Sequence, residues 1–537
     1  MSEFDYVIVG AGSAGSVLAA RLTEDRSSSV LVLEAGGDDR DARIEWPIGY
    51  GLTFRDPRFN WMYEGEPDAA LNGRRMYVPR GKVVGGSGAI NAMVYVRGQA
   101  ADFDDWAAAG NPGWSWRDVL PYFMKSEDHA GGATAQHGVG GPIHVADTRR
   151  DVHPLCADFI AACAALGIPA TSDFNAGTLE GAGLWPVTIK DGRRVSSASA
   201  LLRPARRRPN LELRLEAHAT RVLIEGGGAT GVEYLRDGRA CVARARREVI
   251  LAAGAINSPQ LLQLSGVGDP ELLRTLGIPV VRALPAVGRG LQDHLAVSYF
   301  YRSRVPTLNN VLAPWWGKAW AGLRYLLTRR GPLSMSVNQA GAFVRGRPGL
   351  ARPNLHLYFN PISYATTSAG TQPRLPSPDP FPAFLMSFNT CRPTSRGWVA
   401  VRSRDPRDPP RIVTNYLATD ADVADVYDGA RLLRRLAAAT PLAGRVEREY
   451  LPGEGVRSDA EVLADFRERA ASVYHASCTC AMGPDPERAV VDGTLRVHGV
   501  GRLRVVDASV FPYVTSGNTN APTIMVAERG ADLIRAG

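Results

Sequence analysis

The sequence predicts an α/β fold, and three observations carry the prediction. Residues 5 to 34, DYVIVGAGSAGSVLAARLTEDRSSSVLVLE, run through strand, glycine-rich turn, helix, strand and acid in that order. Further along, LRLEAHATRVLIE and GVEYLR flank GGGATG at Gly226 and read as a β-hairpin. At 537 residues and 57.8 kDa the chain exceeds one simple core, so it divides into two lobes or one domain with large insertions.

The first unit is the most informative. Val7, Ile8 and Val9 end a strand, and GxGxxG follows at Gly10, Gly12 and Gly15. Gly10 permits the tight turn, Gly12 lets the backbone approach a pyrophosphate, and Gly15 lets helix pack on strand. The helix that opens at Ser13 and Ala14 aims its first amides at phosphate. Val30 to Leu33 form the second strand, and Glu34, followed by Ala35, is placed to accept hydrogen bonds from ribose hydroxyls. A carboxylate there disfavours a 2'-phosphate. This is a Rossmann-type dinucleotide site, and no second such fingerprint follows a strand. One site favours a cofactor that stays bound and is recycled in place, FAD rather than a diffusing nicotinamide.

Composition excludes several classes. Hydrophobic residues at 45% and charged residues at 22% describe an ordinary globular protein. The net charge is +8, with arginine far outnumbering lysine, yet no basic stripe with interleaved aromatics marks a nucleic-acid partner. Six cysteines at 156, 163, 241, 391, 478 and 480 make no disulfide framework, so a reducing cytoplasm is expected. The N-terminus lacks a signal-peptide pattern, and no run reaches the roughly 18 apolar residues of a membrane span. Residues 311 to 330, VLAPWWGKAWAGLRYLLTRR, mix Trp, Leu and Tyr with Lys318, Arg324, Arg329 and Arg330. Such a segment suits a peripheral membrane contact near a quinone acceptor, or a lid, or a core helix.

Longer stretches carry a family resemblance. GKVVGGSGAINAMVYVRGQAADFD (81 to 104), GAINSPQLLQLSGVG (254 to 268), VGRGLQDH from Val287, VYHASCTCAMG from Val473 and VVDASVFPYVTSGNTNAPTIMVAERGADLI from Val505 stand in the order seen in the glucose-methanol-choline (GMC) oxidoreductases. The wording most resembles the choline-dehydrogenase-like branch. The resemblance implies a discontinuous FAD domain (1–155, 195–300 and 465–537) and a substrate domain built on an antiparallel sheet (156–194 and 301–464). It also implies that Val84, Gly86, Asn91, Ala92, Met93 and Val94 lie against the flavin. Val222 is expected at the adenine, Ala253 and Gly254 at the dinucleotide, and Asp507, Ala508, Asn518 and Thr519 near the ring system. Some family members attach the flavin through a histidine where this chain has Ile90, so the FAD is expected to be non-covalent.

Oxidising an alcohol removes a proton from oxygen and a hydride from carbon, and histidine suits the first task. By the same resemblance the base is His475 and its partner is Asn520, which also reads as the cap of a following helix with Pro522 in its first turn. That helix would turn its positive end to the flavin. His475, Cys478 and Cys480 lie within six residues but have no second ligand pair, so no metal is expected and the cysteines read as packing residues. Choline-oxidising relatives carry a carboxylate two residues after the Asp-His pair, where this chain has Ala296. The expected activity is therefore FAD-dependent oxidation of a primary aryl or alkyl alcohol to the aldehyde, with oxygen, quinone or another carrier as acceptor. A flavin-retaining hydroxynitrile lyase and a choline dehydrogenase are the alternatives. Of the aromatics at 299 to 301 and 315 to 316, any could line an apolar pocket or simply fill the core.

Overall fold

The structure, a computed structural model, describes residues 2–149, 151–364 and 377–537. Strands Ser2–Val9 and Val30–Leu33 pair in parallel, with Tyr6 opposite Val30 and Val9 opposite Leu33, and Leu211–Arg214 extends the sheet on the far side. On the other side Ser2–Val9 pairs in parallel with the long strand Arg239–Leu251, which also takes Leu503–Val505. Val7, Ile8 and all of Val30–Leu33 are buried, as a strand covered on both faces requires. The expected hairpin is present: His218–Glu225 returns as Gly228–Arg236, with Gly226 and Gly227 at positive φ in the turn. Helix Ser13–Leu22 lies over this sheet and packs against the C-terminal helix Asn520–Arg535.

A second sheet is antiparallel throughout. Its order is Val446–Leu451, Leu295–Ser303, Ala383–Thr390, Leu355–Asn360, Ala340–Val344 and Gly181–Leu184, with the short strand Ala471–Ser472 beside Leu295 and Ala296. The strand Leu295–Ser303 of this sheet thus starts ahead of the boundary expected at 301.

Alternation along these strands separates two environments. Leu295, Val297, Tyr299 and Tyr301 join a core shared with helices Leu155–Ala165, Asp420–Ala438 and Asp459–Arg469. Ala296, Ser298 and Phe300 face the other way, into a cavity. Tyr358, Asn360, Leu385 and Ser387 do the same from neighbouring strands. The substrate-side wall is therefore one face of a sheet whose other face is packed on helices.

Candidate active site

The cavity measures about 1650 Å³, against roughly 300–1,000 Å³ for a site holding one drug-sized ligand. There is room for a dinucleotide and a second, smaller molecule. One end is a cradle of backbone. A Cβ on Gly86, at φ +54, would stand 2.8 Å from the Gly12 Cα, and one on Gly10, at φ +98, would stand 2.5 Å from the Ala252 carbonyl oxygen. Gly15 meets the Gly10 carbonyl so closely that a Cβ would fall 1.9 Å from it, which is the helix-on-strand packing the fingerprint predicts.

Glu34 Oε2 accepts from the Ala11 amide at 2.8 Å and Oε1 from the Gly36 amide at 2.9 Å, while burial pushes its carboxyl up to about 7. The acid thus ties down the glycine turn as well as facing the cavity. Asp507 does the corresponding work opposite, accepting from the Gly254 amide at 2.9 Å and Ser258 Oγ at 2.6 Å.

Of the expected cofactor residues, Gly10, Gly12, Ser13, Ala14, Glu34, Ala35, Gly86, Asn91 to Val94, Ala253, Gly254, Asp507, Ala508, Asn518 and Thr519 line this cavity. Three do not reach it: Gly15, which packs against the Gly10 carbonyl, Val222 and Val84. Val222 is buried three residues further along its strand, its amide bonded to Ser265 Oγ at 2.8 Å, and the wall there is made by Ala217, His218 and Ala219. Val84 sits in the core beneath the loop, because the chain turns away at Gly85 and Gly86.

At the other end stands His475, just past strand Ala471–Ser472. A buried carboxylate sets its place: Asp293 Oδ1 accepts from the His475 amide at 2.7 Å and the His294 amide at 2.9 Å, and Oδ2 accepts from Tyr416 Oη at 2.6 Å. The ring nitrogens then fix the proton positions in sequence. His294 Nε2 lies 2.9 Å from the Cys391 carbonyl oxygen, which can only accept, so His294 carries its proton there. His294 Nδ1 is left as an acceptor and lies 2.8 Å from His475 Nδ1, which must donate. His475 Nε2 is therefore a bare lone pair, contacted at 3.1 Å by Asn518 Nδ2. Burial, then the neighbouring His294, His356 and Arg80, holds the His475 ring well below the usual imidazole range, and burial lowers His294 in the same direction.

Asn520 departs from expectation. Its helix starts at Asn520 itself, Thr519 occupies the cap position, and no side chain caps the first turn. Asn520 Oδ1 instead accepts from Ser13 Oγ at 2.7 Å, which pins the C-terminal helix to the glycine-turn helix. The amide that meets His475 belongs to Asn518. His294 and Asp293 were also missed as functional groups, although they stand in the VGRGLQDH stretch that the resemblance used.

The remaining candidates sort simply. Cys478 and Cys480 are fully buried, and burial pushes the Cys478 thiol up to about 11, so both pack as apolar groups. Of the aromatics at 299 to 301, 315 and 316, Phe300 lines the cavity; Tyr299 and Tyr301 face the helices, and Trp315 and Trp316 are exposed. The fold does bring His129, His137 and Asp173 within 4.8 Å, which spacing did not foretell. Burial opposes charge on His137, yet Asp173 at 2.6 Å and Glu127 at 2.9 Å outweigh it and push the ring up to about 9. The cluster is a buried ion-pair network in which His137 keeps its proton.

A groove lined by backbone and glycine that runs to a neutral, buried imidazole defines a class: an oxidoreductase that holds a dinucleotide cofactor against a proton acceptor. Comparison with known proteins narrows it. Residues 4–296 and 393–527 match the family models of GMC oxidoreductases. The mitochondrial choline dehydrogenase of Mus musculus is 44% identical over 99% of this chain and 89% of its own length. The oxygen-dependent choline dehydrogenase of Yersinia pseudotuberculosis is 43% identical over 99% of this chain and 94% of its own. The crystal structure of pyridoxine 4-oxidase from Mesorbium loti superposes with a TM-score of 0.89 at 33% identity, covering 99% of both chains. The chain belongs to the GMC oxidoreductase family. It is an FAD-dependent oxidoreductase acting on CH–OH groups.

Proposed function

We propose that this enzyme oxidises a neutral primary alcohol, aryl or alkyl, to the aldehyde, with His475 Nε2 taking the hydroxyl proton and Asn518 holding the oxygen. The hydrogen-bond chain from the Cys391 carbonyl through His294 to His475 carries the reading, because it leaves the cavity-facing nitrogen unprotonated. Bound FAD supplies the hydride acceptor. The chain's residues do the rest. The alcohol O–H donates to His475 Nε2, and Asn518 Nδ2 donates to the alcohol oxygen as its charge grows. When the imidazole gains the proton, its Nδ1–H bond to His294 becomes charge-assisted and strengthens. Gly10, Gly12 and Gly86 supply the backbone cradle for the dinucleotide. Ile90 has no nucleophilic atom, so FAD is held without a covalent link.

The walls favour a neutral substrate. The acids lining the cavity are Glu34, Asp56, Glu468 and Asp507. Backbone amides engage Glu34 and Asp507, Arg43 and Arg58 pair with Asp56, and Glu468 is exposed. Arg80 and Arg469 line the cavity as well, and Ala296 offers no charge. A quaternary ammonium would lose hydration there without a buried, unpaired carboxylate among the described residues to replace it. The relatives' names make choline the second reading, and these walls weigh against it.

The test is anaerobic mixing of FAD-loaded enzyme with benzyl alcohol, aliphatic alcohols and choline. Bleaching of the visible flavin band by the neutral alcohols and not by choline is expected. Efficient reduction by choline alone would replace the neutral-alcohol reading, and persistent colour with cyanohydrin cleavage would replace oxidation by lyase chemistry.

A further inference from the structure

Helix Trp315–Thr328 reverses the usual arrangement of a surface helix. Its docked face is narrow: Gly317, Ala321 and Tyr325, spaced four apart, are its buried residues, with Tyr325 Oη donating to the Gly192 carbonyl at 2.9 Å. Each residue turns the helix by about 100°, so this face is opposed by Trp315, Trp316, Trp320, Leu323, Leu326 and Leu327. Those six are exposed, from 47% at Leu323 to 79% at Trp315. An apolar stripe of that size pointing outward is not explained by this chain's own core.

Charge gives the stripe a partner. Lys318 and Arg324 flank it on either side, and Arg329 and Arg330 follow at its C-terminal end. None of the four pairs with a carboxylate among the described residues. From Val305 to Pro378 the sequence contains no Asp or Glu. A protein partner would need its own acids to meet these cations around an apolar centre, whereas an anionic bilayer offers both at the right depths: headgroups for the flanking cations and acyl chains for the Trp and Leu stripe. Tryptophan in particular favours that boundary, because its ring is apolar and its N–H polar. No described helix is long and apolar enough to cross a membrane, so the contact is with one leaflet.

We infer that helix Trp315–Thr328 docks the enzyme on an anionic lipid surface, in the plane of the headgroups. The helix also borders the cavity: Lys318 lines it, as do Leu312 just before the helix, Leu333 just after it and the exposed Leu52. Docking in this way turns the cavity's mouth toward the lipid, where an apolar alcohol or a lipid-soluble acceptor would concentrate.

The experiment is co-sedimentation of the FAD-loaded full chain with phosphatidylcholine vesicles, with and without phosphatidylglycerol, followed by quenching of tryptophan emission with brominated lipid. Binding to the phosphatidylglycerol vesicles is expected, weakened by salt, with quenching. The triple variant Trp315→Ser, Trp316→Ser, Trp320→Ser should bind roughly tenfold or more weakly while keeping its flavin content and its turnover of a water-soluble alcohol. Equal binding by the triple variant would overturn the assignment, as would absence of binding by the flavin-loaded parent. A parent dimer that the same three substitutions convert to monomer would assign the stripe to a second copy of the chain instead.

Discussion

The two ends of the cavity are built by opposite means. At the dinucleotide end the wall is backbone: Gly10 and Gly86 lie so close to their neighbours that a side chain has nowhere to go. At the substrate end the wall is side chain: Ala296, Ser298 and Phe300 project from one strand, Tyr358 and Asn360 from another, and His475 from the loop beyond a third. A backbone wall specifies one ligand shape and tolerates little. A side-chain wall on a fixed sheet can be retuned one residue at a time, so 43–44% identity to choline dehydrogenases does not by itself fix the substrate.

The largest expected effect breaks the backbone end. Gly86→Val places branched carbon against the Gly12 Cα at positive φ, and FAD occupancy should fall by roughly an order of magnitude or more, read as flavin-to-protein absorbance after purification. A variant with full flavin content would show that the cradle can relax.

The next effect separates two asparagines that the sequence places two residues apart. Asn518→Ala removes the amide that meets His475 Nε2 and should slow anaerobic flavin reduction roughly 10- to 100-fold. Asn520→Ala removes the bond to Ser13 and should cost about 1 kcal/mol of stability with a smaller change in rate. Equal rate losses from both would return Asn520 to the catalytic position.

The smallest effect is a constancy. With the His475 ring held below the ordinary 6.5, its lone pair persists as pH falls through that value. The ratio kcat/KM for a neutral alcohol should therefore stay level down to pH 6.5, with its acid limb well below. Half-loss near or above 6.5 would mean that the base titrates as an ordinary histidine.

What could be read in advance follows the same division. The glycine turn and Glu34 were legible because their contacts are local: Glu34 bonds Gly36 two residues on, and Gly10 meets Gly15 within one turn of helix. Val222 was misplaced because a motif gives the strand but not where the strand leaves the cavity. Asn518 and Asn520 could not be told apart, since the choice depends on where the last helix begins, and that is set by packing against helix Ser13–Leu22. The partnership of His294 with His475 spans 181 residues and exists only once the strand at Leu295 has paired with Ala471–Ser472. No local pattern could have stated which ring nitrogen is bare.

The central claim is that His475 Nε2 takes the substrate's hydroxyl proton. Single-turnover anaerobic reduction by a neutral primary alcohol, compared between the parent enzyme and His475→Ala at equal flavin content, tests it most directly. The account predicts a loss of roughly 10²- to 10⁴-fold in the reduction rate with the flavin spectrum retained. An unchanged rate in the flavin-loaded variant would contradict it.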